Sequence, residues 1–363
     1  MKTTHIFKSN CFMSTRIMMQ SEWDQNCNFL HRKNNPNYHE NTNDKKLSLF
    51  SIISFLLREK KENTLLIFHC QSSLPYLMIS FIAKKLMNMS SLSLIYDIHD
   101  LHEYDRNEKG LIANLKAKVR YQVFRVLERS LVKKNDINVM TVSEGIAEHY
   151  MNKFNIIKPN VVRNIGTESY SANENTENIR HKKDIVFFGR AGRIPFEIFQ
   201  TCIDQSINLH LWGRGIEEAV EDYCKISRCK KSDIIINGAY EPNDLRFLDK
   251  FRYLILYKPN DLKLNYKFSL PNKLFQAISH GLSIIVSPNF TEIIDSFGHI
   301  PGAIIILNNQ EKLEELIIEN NKLRDEKFFS QCKKHYKTVR DNAKKNYQEL
   351  CYCQFNSNMD YIK

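Results

Sequence analysis

Twice along this 363-residue chain, short apolar runs alternate with longer stretches of helical periodicity, and one polar stretch separates the two series. In the first series Thr4–Phe7, Thr64–His69 (TLLIFH), Ser91–Tyr96 (SLSLIY), Asn138–Val142 and Val161–Val162 read as strands. Between them Leu47–Lys60, Pro75–Met87, Leu111–Lys134 and Glu144–Phe154 read as helices, the last capped by Ser143. The second series has strands at Asp184–Phe188, Asn208–Trp212, Asp233–Ile236, Tyr253–Leu256 and Ser283–Val286. Apolar strands separated by helices predict a parallel sheet covered on both faces, so the expected class is α/β with two Rossmann-like domains in tandem.

The expected boundaries follow from composition. Residues 1–166 form the first domain, the polar stretch 167–182 (TESYSANENTENIRHK) the linker, 183–335 the second domain and 336–363 a charged helix and tail. Residues 20–46 are polar with little periodicity and read as a long insertion or loop.

With 42% hydrophobic and 26% charged residues, the chain has enough apolar material for a core in each domain. The longest apolar run, Leu47–Leu57, has 11 residues and ends at Arg58-Glu59-Lys60-Lys61, too short to span a bilayer. The N-terminus lacks an apolar run after its first charge, so no signal peptide is expected. Nine cysteines without a C-x-x-C pair predict free thiols in a reducing cytoplasm. The net charge of +11 is uneven: residues 1–165 hold 24 Lys and Arg against 15 Asp and Glu, the remainder 28 against 26. A basic first half suits an anionic membrane surface or an anionic acceptor, and no nucleic-acid module accompanies it. The expected location is cytoplasmic, with attachment to the inner face of the plasma membrane left open.

The most tightly punctuated segment is Asn265–Pro288, NYKFSLPNKLFQAISHGLSIIVSP. It reads as a polar loop, a helix starting near Ser269 or Leu270 with Pro271 in its first turn, a left-handed stop at Gly281, and a buried strand. A loop feeding a helix N-terminus presents unpaired N–H groups and partial positive charge, which suits a phosphate, and Lys273 adds a full charge. Phe188-Gly189-Arg190-Ala191-Gly192-Arg193 ends the second domain's first strand in a turn with two arginines, whose forked guanidinium matches phosphate oxygens. Asp97-Ile98-His99-Asp100 sits at a strand end, where open α/β sheets bind ligands.

These residues resemble a known family. The run S-L-P-N-K-L-F-Q-A-x-x-x-G-L-x-I-I resembles the "lPnKlfEyxaaGlPvi" signature of bacterial family-4-type retaining glycosyltransferases of the GT-B fold, many of which build capsule, lipopolysaccharide or other surface glycans. Gly189 and Arg190 resemble its "vGRl…K" element, with Arg193 near the place of the lysine. His99 resembles the histidine of "HDl", Ser143 lies in "tvSe", Asn164 in "vvpNg", and Gly238, Tyr240 and Pro242 in the "G.v…" turn. The resemblance implies two domains facing a cleft, a last helix crossing back to the first domain, and transfer of a sugar from a nucleotide sugar to a glycan or lipid-linked acceptor. It implies catalytic roles for His99, Arg190 and Lys273. Nucleotide contacts would come from Gly189, Arg193, Gly238, Tyr240, Ser269, Leu270, Asn272 and Gln276, and substrate contacts from Asp97, Asp100, Ser143 and Asn164. Two positions depart from the family: Gln276 stands where a ribose-binding glutamate is usual, and Ser269 where a second glutamate often lies. An amide still hydrogen-bonds a diol but lacks the charge that strengthens the bond.

No D-x-D triplet and no G-x-G-x-x-G fingerprint occurs, which argues against metal-dependent GT-A transfer and dinucleotide oxidoreduction. His102, Asp100 and Glu103 lack a standard zinc spacing. Neither a metal nor a cofactor is expected, the nucleotide sugar being a substrate. The rivals are a GT-B enzyme moving a sugar phosphate, a nucleotide-sugar 2-epimerase, and an inactive GT-B partner subunit.

Overall fold

The computed structural model describes residues 2–7, 15–24, 27–31, 45–59, 62–101, 111–165, 181–227, 229–241, 244–260, 263–324 and 327–359. They divide into two compact units, Met1–Thr167 with Asp341–Lys363, and Glu168–Arg340.

In the first unit, seven parallel strands lie in the order β3-β2-β1-β4-β5-β6-β7. These are β1 (Lys2–Phe7), β2 (Cys27–His31), β3 (Lys45–Lys46), β4 (Thr64–His69), β5 (Leu92–Ile98), β6 (Ile137–Thr141) and β7 (Asn160–Val161). The helices are α1 (Thr15–Trp23), α2 (Leu49–Arg58), α3 (Leu74–Leu86), α4 (Leu111–Val132) and α5 (Glu144–Phe154). Every residue of β4 and β5 is buried, as expected of central strands in a sheet with both faces covered. Local chemistry sets the helix ends. Ser48 and Ser51 cap α2 reciprocally at 3.0 and 2.7 Å, and Ser143 Oγ accepts the Ile146 N–H at the start of α5. Buried Glu128 on α4 accepts hydrogen bonds from Tyr96 Oη at 2.8 Å and Tyr150 Oη at 2.7 Å, tying α4 to β5 and α5.

The second unit repeats the plan with six parallel strands in the order β10-β9-β8-β11-β12-β13. They are β8 (His181–Phe188), β9 (Leu209–Trp212), β10 (Ile235–Ile236), β11 (Phe251–Leu256), β12 (Ser283–Val286) and β13 (Ile304–Ile306). Its helices are α6 (Phe199–Asp204), α7 (Ile216–Ile226), α8 (Leu264–Phe268), α9 (Asn272–Ser279), α10 (Thr291–Phe297) and α11 (Leu313–Leu323). A last helix, α12 (Phe328–Met359), starts in this unit and ends in the first. In both units the strand order reverses beside the first strand, between β1 and β4 and between β8 and β11, which marks the switch point where such sheets take ligands.

Three expectations need correction. Residues 20–46 are not simply a loop: the described part holds the end of α1 and the strands β2 and β3. The five-residue β2 shows no alternation, and its place is set by register with β1, where His5 faces Phe29. The stretch before Pro271 is also not a loop, since α8 occupies it, and the next helix begins at Asn272 rather than Ser269 or Leu270. Proline disfavours the helical region for the residue before it, so Leu270 and Pro271 break the chain between two helices, with Pro271 extended at φ −68° and ψ 144°. The second-unit sheet also gains β13, unread in the sequence, and the expected linker range 167–182 overlaps β8, which starts at His181. Gly281 does stop α9, at φ 69°, with Gly281 N–H bonded to Ile278 O and Leu282 N–H to Ala277 O. Residues 166–180, His102, Glu103 and Pro242 lie outside the described residues.

The end of α12 completes the first unit's core: Tyr347, Leu350 and Cys351 pack against Leu65, Ile67, Ile95, Met140 and Val162. Asn346 Nδ2 donates to Val161 O at 2.9 Å. Tyr347→Ala should therefore destabilise the first unit by about 3–5 kcal/mol, the cost of deleting a large buried aromatic, read as a fall in its urea midpoint.

Candidate functional site

In the second unit, the candidate site gathers at the C-terminal ends of β8 and β9. Gly189, at φ 143°, donates its N–H to Trp212 O at 2.9 Å, and Gly213, at φ 151°, donates to Gly238 O at 2.7 Å. A Cβ on Gly213 would stand 1.9 Å from Gly189 O, so this crossing excludes every side chain. Lys273, in the first turn of α9, reaches across to donate to Phe188 O at 3.1 Å and lies 4.3 Å from the centroid of the Phe187 ring. A Cβ on Gly189 would meet its Nζ at 3.2 Å, so glycine there makes room for the ammonium. Burial first, and the neighbouring Arg193 charge second, pull the Lys273 ammonium down to about 7. Arg190 and Arg193 border it as exposed cations. Pro271 offers α9 no side-chain cap, so the N–H groups of the helix start have no side-chain acceptor.

Beside this cationic corner lies a cleft of about 460 Å³ lined by Trp212, Tyr240, Glu241, Asp244, Arg246, Phe247 and Lys250. Trp212 stacks on Phe247 with centroids 4.3 Å apart, and Phe188 meets Tyr240 and Phe247 edge-on. Flat aromatic walls next to a cationic corner could take a flat ring and an anionic group side by side.

Of the residues read from the sequence, Gly189, Arg190, Arg193 and Lys273 come together here. Gly238 joins through its bond to Gly213, and Tyr240 lines the cleft. Ser269 ends the break after α8, and Leu270 is buried beneath it. Asn272 opens α9 with its Oδ1 buried and unpartnered, and Gln276 is half-buried one turn later. Sequence reading missed Gly213, Trp212 and Phe247; the Gly213-Arg214-Gly215 turn after β9 was the available signal.

The first unit places a second set of groups at the ends of β4 and β5, where the register pairs His69 with Asp97. Arg16 on α1 grips Asp97 with Nε at 2.7 Å from Oδ2 and Nη2 at 2.6 Å from Oδ1, both side chains fully buried. Gln20 Nε2 adds a bond to Oδ2 at 3.2 Å. His69 Nδ1 and His99 Nε2 each stand 3.0 Å from the same Oδ2, and His5 Nδ1 is 2.9 Å from His69 Nε2. Burial raises the Asp97 carboxyl, but Arg16 and then His99 outweigh it and hold the group well below the usual carboxylate range. Burial pulls His69 down to about 4 against the pull of Asp97, and pulls His5 well below its ordinary value. Burial also lowers His99, yet the Cys70 sulfur and the Asp97 carboxylate overcome it and lift His99 to about 10. The consistent proton pattern has neutral His5 donating to neutral His69, with His69 and a charged His99 both donating to Asp97.

Asp97 and Ser143, read as substrate contacts, are fully buried. Asp97 bonds His99, and the Ser143 hydroxyl accepts from Ile146 N–H in the α5 cap. Asp100 is exposed beside His99, and Asn164 keeps a buried Oδ1 without a partner. Arg16, His69 and Cys70 had no sequence signal, since only the packing of α1 and the pairing of β4 with β5 bring them to Asp97. His69, Asp97 and His99 offer ligand atoms within 4.8 Å of one another, a spacing that could hold a metal ion. Arg16 already occupies both Asp97 oxygens, however, and its charge opposes a cation in that place.

No protein-family model matches the chain, and no curated protein matches it. Solved structures resemble it throughout. Sucrose-phosphate synthase from Thermosynechococcus elongatus aligns over 98% of this chain and 99% of its own, with TM-score 0.67 and 13% identity. HepE from Anabaena, solved with UDP-glucose, aligns over 97% and 100%, with TM-score 0.66 and 10% identity. WaaG, a glycosyltransferase involved in lipopolysaccharide biosynthesis, aligns over 96% and 98%, with TM-score 0.58 and 11% identity. At these identities the likeness is one of fold, and that fold is GT-B.

His99 has a sign that can be tested. A raised folded-state value means that its contribution to stability is whole below the unfolded value of about 6.5 and is lost as pH rises toward about 10. The stability difference between wild type and His99→Gln should therefore shrink steadily from about pH 6.5 to pH 9 in chemical denaturation; a constant difference would show a neutral ring.

Proposed function

We propose that this protein transfers a sugar from a nucleotide-activated donor to a glycan or lipid-linked acceptor in bacterial surface polysaccharide synthesis, with retention at the anomeric carbon and no metal. The observation that carries this reading is the Lys273–Gly189–Arg190–Arg193 corner beside the aromatic cleft of Trp212, Tyr240 and Phe247. The nucleotide base lies against the aromatic walls and the diphosphate over Gly189. When the bond from the anomeric carbon to the phosphate oxygen breaks, negative charge grows on the departing diphosphate, and the three cations and the α9 start stabilise it. The acceptor hydroxyl oxygen forms the new bond, and its proton passes to the departing diphosphate oxygen. Gln276 offers its amide to the ribose. His99, charged and held by Asp97, is the first unit's catalytic group, with Asp100 and Asn164 available to substrate.

The donor to try first is a UDP-sugar, since the similar HepE is solved with UDP and with UDP-glucose. Gln276 and Ser269, where the family carries glutamates, keep a partner subunit without catalysis as the second reading. Release of UDP from UDP-glucose separates the two.

Isothermal calorimetry with UDP tests the corner. Lys273→Ala or Arg190→Ala should each weaken binding by roughly 1.5–3 kcal/mol, the range for bonds to charged groups. An anion held by Lys273 favours its protonated form, so UDP affinity should fall as pH rises through about 7 and binding should take up a proton. Undiminished affinity in folded Lys273→Ala would place the diphosphate elsewhere.

The membrane side of the proposal rests on charge and apolar exposure together. No described helix is long and apolar enough to cross a membrane. Phe50 is 81% exposed on α2, and Leu115, Val119, Val123 and Val126 are exposed on α4, the helix that also carries Lys116, Lys118, Arg120 and Arg125. Apolar side chains interleaved with cations fit an anionic lipid surface, where each cation contributes about 1 kcal/mol. Binding to phosphatidylserine-containing vesicles should rise with anionic content and fall with salt. Reversing Lys116, Lys118 and Arg125 should abolish it while UDP affinity stays unchanged.

A further inference from the structure

The first unit turns from strand to helix at Cys70, directly after β4, with φ 62° and ψ 165°. That is a left-handed conformation which residues with side chains seldom adopt, and such positions concentrate at functional sites. It aims the sulfur at His99, with Sγ 3.3 Å from Nδ1. The other nitrogen of the same ring, Nε2, is 3.0 Å from Asp97 Oδ2. The Cys70 N–H also donates to Asp97 O at 3.0 Å, so sulfur, imidazole and carboxylate are held by two adjacent strands. Cys70 is partly exposed, and the imidazole has a side-chain exposure of 14%.

We propose that Cys70, His99 and Asp97 form a thiol–imidazole–carboxylate relay that makes Cys70 a modification site for peroxides and small soft electrophiles. The parts have separate duties. Arg16 and Gln20 hold Asp97 ionised and in place, Asp97 orients the ring and steadies its charge, and the charged ring stabilises the thiolate. His69 and His5 also face the cluster and stay neutral, so they add no competing charge, while Arg16 contributes a fixed one. Tyr96, another ionisable neighbour of the sulfur, is held in its neutral form by burial and by the Glu128 carboxylate. Cys27 and Cys202 lack this arrangement. Burial and the Asp24 carboxylate push the Cys27 thiol up to about 12, and burial alone does so for Cys202.

The oxidative step balances with a peroxide as the only co-reactant. The thiolate sulfur attacks one peroxide oxygen, the S–O bond forms as the O–O bond breaks, and the leaving hydroxide takes the Nδ1 proton of His99 and departs as water. Sulfur loses two electrons and becomes a sulfenic acid, the peroxide is reduced, and His99 is left neutral. One oxidation thus changes the charge of two side chains. The relay stands on the geometry of the first unit and does not depend on the transferase reading.

Peptide mapping by mass spectrometry on the intact chain tests it. At about pH 6, where an ordinary thiol is almost wholly protonated, iodoacetamide should modify Cys70 at least tenfold faster than Cys224, which has comparable exposure. His99→Gln should slow Cys70 about tenfold at that pH, leave Cys224 unchanged, and lose its effect near pH 10, where any accessible thiol is ionised. A low molar excess of hydrogen peroxide followed by dimedone should label Cys70 ahead of the other cysteines. Cys70 reacting no faster than Cys224 in the wild type, which needs no variant to fold, would overturn the proposal. So would an unchanged Cys70 rate in folded His99→Gln, or dimedone labelling spread evenly over the cysteines.

Discussion

The ion pair between Arg16 and Asp97 is the interaction on which the first unit's chemistry depends. Both groups are wholly removed from water, and each ion so buried costs several kcal/mol before any attraction is counted. The cost is offset because all three guanidinium nitrogens are bonded: two meet the carboxylate, and the third donates to Val162 O. The carboxylate that results is a fixed negative charge inside the sheet, and it decides the states of its neighbours. His69 donates to it while remaining neutral; His99, nearer the surface and beside a sulfur, takes a proton and keeps it. Of the three histidines in the cluster, His5 and His69 therefore stay neutral and only His99 is charged, a difference set by depth and by the Cys70 sulfur beside His99.

In the second unit the governing constraint is steric. Gly213 and Gly189 bring two strand ends so close that their backbones fill the space a side chain would need. That closeness leaves the room Lys273 uses, and the ammonium is seated between a carbonyl and an aromatic face. The Lys273 ammonium loses hydration there, which pulls its pKa down.

How much of this was legible in the chain follows from the range of each interaction. Helix α5 was readable to the residue, because Ser143 caps it through a bond three positions away and Asn155 ends it in the left-handed region. Gly281 and β12 were equally plain. The helix start was misplaced because Pro271 was read as a first-turn residue when it stands just outside, closing a break whose other side is the short α8. The cationic corner was visible as Arg190, Arg193 and Lys273, while its aromatic neighbour was hidden, since Trp212 and Phe247 are 35 positions apart and meet only when β9 is seated. Arg16 lay in a stretch with no pattern, and its partner is 81 positions away. Long-range pairing of this kind leaves no mark on local periodicity.

The path of the chain through its two units has a consequence for biosynthesis. Residues 168–340 are one continuous run, so the second unit holds all its strands before translation ends. The first unit takes its final helical segment from residues 341–359, with Tyr347 closing the core over β4 and β5. On the ribosome, then, the half made first is completed last. Its apolar surface around Leu65, Ile67 and Ile95 waits through the synthesis of the whole second half, an interval in which a chaperone has something to cover.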